Sequence, residues 1–151
     1  MEKGLHEVLN QKLTRLTALF RESMKGGLDA LTLNRIAFQA GELELGAKRI
    51  AADLEAGRKP LHFEIRDELI EKGTSKTAAE QEARVDPRYL NYVQRIKTAQ
   101  QVADDAALLH KSAYQRAWLM ADVEKAERAL SARKAGAEEW EEQAEAVEAG
   151  S

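Results

Sequence analysis

The sequence predicts an all-α fold: an elongated antiparallel helical hairpin, coiled-coil-like, with an additional N-terminal helix. Three observations predict it. Only 5% of the 151 residues are aromatic, and 9 Gly and 2 Pro leave few turn formers. A sandwich, a barrel or a doubly wound sheet needs β-branched runs and frequent turns. Two long stretches, 31–56 and 86–133, carry apolar residues at alternating spacings of three and four, the signature of one helical face. Alanine fills many of those positions, and a methyl group lets a facing helix approach closely.

The first helix is expected over about 5–25, where Leu5, Leu9, Leu13, Leu16 and Phe20 share a face and Gly26-Gly27 follows as a stop. Asp29 or Thr32 caps the next helix. That helix is expected over about 31–56. Its seam, Leu33, Ile36, Ala40, Leu43, Ala47, Ile50 and Leu54, runs through three heptads without an error, and Gly57 and Pro60 read as its end. The connector, 58–85, reads as two short helices. One spans about 60–72, with Leu61, Ile65 and Leu69 on one face and Gly73 as its terminal glycine. Leu61–Ile65 also alternates as a strand does. The other spans about 75–84, capped by Thr74-Ser75.

Asp86-Pro87 is a strong start signal, because Asp accepts from free first-turn amides and Pro fits the first helical position. The helix that follows is expected over 86–133, roughly 70 Å at 1.5 Å per residue. Its seam reads Tyr92, Ile96, Ala99, Ala103, Ala106, His110, Ala113, Ala117 and Met120. The two alanine-rich seams match each other, and a short connector makes them antiparallel. Residues 1–134 therefore read as a single helical domain and 135–151 as an acidic tail. Leu108, Leu109, Trp118 and Leu119 lie off the seam. Large apolar residues left over in this way meet the first helix or another subunit, and a homo-oligomer is the expectation.

Charge is unevenly placed. The tail holds six Glu and no base, while residues 1–134 hold 23 Lys and Arg against 20 acids, a net of +3. Such a tail is either a solvated helix end or an acidic segment that competes for a basic surface or recruits a partner, with Trp140 as an anchor. The chain has no Cys, which excludes disulfides and thiolate metal sites and fits a reducing cytosol. No apolar run is long enough to span a membrane. Met1–His6 lacks the layout of a signal peptide, so a cytoplasmic location is expected.

For catalysis the residues offer little. Gly26-Gly27 lacks the Lys-Ser/Thr of a phosphate loop. His6, His62 and His110 stand far apart, and neither His6-Glu7 nor His62 with Glu64 has metal-site spacing. Asp104-Asp105 opposite Glu42 or Glu44 lacks the Glu-x-x-His of carboxylate-bridged bundles. No enzyme, no metal and no cofactor are expected. His110 sits on the seam, as a structural histidine bonded across the hairpin or as a pH-sensitive point.

The best functional candidate is 76–97, where bases and aromatics interleave. Arg88, Tyr92 and Arg95 share a face, with Arg84 and Lys97 flanking. Guanidinium forks suit phosphates and a Tyr ring stacks on an exposed base. Arg58, Lys59 and Arg66 join them if the connector closes the same end of the hairpin. The opposing reading is a solvated helix start with Tyr92 packed in the seam.

Asp86-Pro87-Arg88-Tyr89-Leu90, opening a long Ala/Leu-rich helix after a seam helix and an inserted connector, resembles the small phage recombination mediators of the UvsY type over roughly 33–130. That resemblance implies single-stranded DNA binding, a recombinase partner, a homo-oligomer and no catalytic residue. The expected function is a non-enzymatic accessory protein of phage or bacterial DNA recombination or replication. The alternative is a coiled-coil adaptor, structural assembly protein or inhibitor acting only through protein contacts.

Overall fold

The computed structural model describes residues 4–150; the side chains of Leu5 and His6, and with them the His6-Glu7 pair, lie outside the described residues. Four helices follow in chain order: α1 (Leu5–Met24), α2 (Ala30–Glu71), α3 (Lys76–Val85) and α4 (Pro87–Ala149). No strand occurs among the described residues, so the all-α prediction holds and the strand alternative at 61–65 is overturned.

The punctuation between helices follows local chemistry. Gly26 and Gly73 adopt positive φ (85° and 99°), the conformation in which a helix end turns away and which a Cβ disfavours. After Gly73 the Thr74 amide donates back to the Leu69 carbonyl at 3.0 Å, closing α2 in a Schellman turn. Asp29, Ser75 and Asp86 then cap α2, α3 and α4 by accepting from the amides of Thr32, Ala78 and Arg88.

Two expected boundaries are corrected. Gly57 and Pro60 do not end the second helix, which runs unbroken for 42 residues. Pro60 points to solvent, so its missing amide removes one hydrogen bond without disturbing packing. Beyond it the seam continues through half-buried Leu61 to fully buried Ile65, and that burial keeps the helix going. The second correction is α4, which does not stop near 133 but continues for 63 residues through the acidic tail. The tail is built of Ala, Glu and Gln, strong helix formers that absorb the cost of about 1 kcal/mol at Gly136. At 1.5 Å per residue α2 is ~63 Å long and α4 ~95 Å.

α2 and α4 form the antiparallel hairpin along the seams read from the sequence. Ala40, Ala47, Ala99, Ala106 and Ala113 are completely buried. α1 lies along one side of it. Leu13 and Leu16 join Leu43, Ala47, Val102, Ala106 and Leu109 in the main apolar core. α4 also supplies polar fastenings to its neighbours: Arg116 Nη2 donates to the Ser23 carbonyl at the end of α1 (2.9 Å), and the first amide of α2, on Ala30, donates to Glu124 Oε1 (3.2 Å). α3 tucks buried Ala79 and Ala83 beneath the connector end.

His110 is the structural histidine of the two readings. Its Nδ1 lies 2.6 Å from the Ala37 carbonyl on α2. A carbonyl only accepts, so Nδ1 carries the hydrogen. Gly41, one turn on, makes the room: a Cβ there would stand 3.1 Å from the same nitrogen.

Candidate functional site

The connector end was the sequence-derived candidate, and antiparallel pairing does gather its residues. The Tyr92 hydroxyl reaches α2 between Leu54 and Gly57, which brings Arg58 and Lys59 to the level where α4 begins. What the side chains do there differs from a phosphate clamp. Arg88 is committed to two carboxylates: its Nε and Nη2 fork onto Asp86 (3.2 and 3.3 Å) and Nη1 donates to Glu68 Oε2 at 2.9 Å. Hydrogen bonds from Arg88 hold the Asp86 carboxyl below its ordinary value, and the same bonds, with those to Glu68, hold the guanidinium protonated well above its own. All three of its nitrogens are thus engaged within the chain, although the side chain stays 53% exposed.

Tyr92 is likewise occupied. Its hydroxyl donates to the Leu54 carbonyl at 2.6 Å, and the helix opposite is open at that point only because residue 57 is glycine; a Cβ there would overlap the hydroxyl oxygen. The ring is packed in the seam, half-buried, rather than presented for stacking. Arg58 pairs with Glu55 at 2.8 Å, and Arg66 is held by Asp67, with its guanidinium 4.8 Å from the Phe63 ring centroid. Lys59, Arg84, Arg95 and Lys97 are exposed, and none forms an ion pair among the described residues.

The acidic tail cannot shield this end of its own chain. Glu138 lies 41 positions along the same helix from Lys97, which is ~60 Å at helical rise. No group of three or more metal-ligating side chains comes together among the described residues. His62 stands edge-on to Tyr89 with its Nε2 buried and unbonded.

The off-seam residues divide. Leu109 was expected at a protein interface and is instead only 7% exposed, inside the core with Leu13 and Leu16 of α1. Leu108, Trp118, Leu119 and Trp140 are exposed, Trp118 by 62%. Trp118 belongs to a larger feature that the sequence reading missed. α1 packs on one side of the hairpin, where Leu13 and Leu16 share the core with Leu43 of α2 and Leu109 of α4. On the other side Asn34 of α2 and Ala117, Trp118 and Ala121 of α4 line an open groove, with Asp122, Lys125 and Arg128 at its charged end. Leu31, Phe38 and Leu45, all more than 60% exposed, lie on the same stripe of α2 as Asn34 and Gly41. Across from them Tyr114 stacks on His110 and stands half out in solvent beside Trp118. The signal was present in the sequence as a second heptad row, Leu31-Phe38-Leu45, running beside the first.

Compared with known proteins, the chain matches no family model, no curated protein and no solved structure.

Proposed function

We propose that this protein is a non-enzymatic assembly protein that works through helix-to-helix protein contacts, and that the open face of the hairpin takes the same face of a second copy. One observation carries the reading: Leu31, Phe38 and Leu45 follow one another at heptad spacing on α2, Tyr114 and Trp118 stand one turn apart on α4, and all five are half or more exposed. Full burial of a side chain of this size is worth about 1.5–3 kcal/mol, and contact with another helical face recovers the part that exposure forfeits. The two rows sit on antiparallel helices. A two-fold axis parallel to the helices lays the α2 row of each copy on the α4 row of the other, a self-complementary arrangement.

Trp118 reports on this contact directly once Trp140 is replaced by Phe. Diluting the Trp140→Phe chain from high to low micromolar should shift its emission to the red as copies separate. Emission that is already that of a water-exposed indole at the highest concentration contradicts the reading.

A second reading keeps the single-stranded DNA role on Lys59, Arg84, Arg95 and Lys97, the connector-end bases that form no ion pair among the described residues. It requires affinity that falls steeply with salt, and replacing Arg84 and Arg95 with Ala should flatten that slope by about two units. A salt-independent or absent interaction removes it.

A further inference from the structure

Beyond Glu124, α4 leaves the rest of the molecule. Every described residue from Lys125 to Gly150 is exposed, so the last seven turns or so stand as a bare helical arm. The hairpin seam stops at this point, because its next two positions after Met120 are Glu124 and Glu127. A different stripe begins one residue earlier and continues to the end of the helix. Leu119, Val123, Leu130, Trp140 and Val147 are its large members, all about half or more exposed. Ala126, Ala137 and Ala144 fill the positions between, and Arg133 takes the remaining one. The spacing alternates four and three throughout, which is the pattern of a coiled-coil seam and not of a solvated helix.

We infer that this arm is a second interface, and that it pairs antiparallel with the arm of a second copy of this chain. Charge selects both the occupant and the direction. Residues 122–134 carry four bases and three acids, while 136–148, which face them when the arms are centred on Ala135, carry six Glu and no base. Parallel arms in register would stack six Glu on six Glu, and like charges brought together repel. Antiparallel arms lay the acidic half of each beside the half of the other that holds all four of its bases, and so avoid that stacking.

The apolar stripe agrees with that direction. With the arms centred on Ala135, Val123 meets Val147 of the second copy and Leu130 meets its Trp140. Ala126 meets its Ala144, and Arg133 lies against its Ala137. Large residues face large residues toward the ends, and small ones face each other or the one charged stem. Gly136, at the centre, adds no side chain where the two helices cross.

The chain has no Cys, so engineered thiols map the pairing without background. Val123→Cys and Val147→Cys would be made separately in full-length chains that also carry Phe38→Asp. The charged open face then cannot bring copies together, and failure of the open-face reading leaves this test standing. Both positions are exposed, and circular dichroism verifies that the helices remain. Each variant alone, oxidised, should stay uncross-linked, because antiparallel arms hold identical positions far apart. An equimolar mixture of the two, reduced, mixed and then oxidised, should give a disulfide-linked dimer, and its yield should fall at high salt. Self-cross-linking of each variant alone would overturn the direction. No cross-link in the mixture would overturn the interface.

Discussion

Two glycines in α2 explain more of this structure than their small size suggests. Gly57 reads from sequence as a helix-ending residue, yet Gly41 and Gly57 each leave room for an α4 ring that donates a hydrogen bond to an α2 carbonyl, of Ala37 and Leu54 respectively. His110 and Tyr92 thereby pin the two helices in one register. The alanine seams alone do not specify register, since one alanine packs much like the next. The sequence put both rings on the seam and offered His110 a bond across the hairpin, but the receiving carbonyls were not legible, because each bond joins residues that the chain separates by 38 or 73 positions. The same holds for Arg88: its pattern with Tyr92 and Arg95 is that of a phosphate site, and only the approach of Glu68 from α2 shows it to be satisfied within the chain. The pinning account makes a coupled prediction. Gly57→Ala should destabilise by about 1–3 kcal/mol in urea unfolding, because the new methyl enters space the hydroxyl holds. In a Tyr92→Phe chain the same substitution should cost at least about 1 kcal/mol less, since the hydroxyl is gone and Ala favours the helix. Equal costs in both backgrounds would mean that Gly57 and Tyr92 do not meet.

At the scale of elements, caps were the most legible feature and helix ends inside a buried seam the least. Asp29, Ser75, Asp86 and the terminal glycines act through neighbours two to five residues away, so the local sequence contains the whole interaction. Gly57 and Pro60 have the composition of a stop, but the rest of the decision lies across the hairpin, where Tyr92 packs over Gly57 and the seam resumes at Ile65. Continuity of the four-and-three spacing through Leu54, Leu61 and Ile65 was the available signal, and it outweighs the two breakers. Pro60 is therefore a cost that α2 carries. Pro60→Ala restores an amide donor on an exposed turn, so it should raise the melting temperature and leave helix content unchanged or slightly higher. A fall in melting temperature would show that the Pro ring fixes a bend on which packing at the connector end depends.

At the scale of the molecule, long helices bury narrow stripes, and what they leave exposed becomes the functional question. The hairpin spends one face of each long helix on the other and covers a second with α1. It leaves Phe38 and Trp118 bare, and α4 then runs on alone for some 25 residues. The overall class was legible because periodicity and composition are local properties. The open face was not, because whether a stripe is covered depends on where α1 lies. The basic connector end retains unpaired charge, but the larger unsatisfied quantity is apolar surface, and that places self-assembly ahead of nucleic acid in the account. The most direct test is the mass of the full chain in solution. Sedimentation equilibrium from low to high micromolar should give a mass that rises above the 16.8 kDa of one chain, and Phe38→Asp with Trp118→Asp should lower it without loss of helix. A mass that stays at one chain across that range would contradict the central claim.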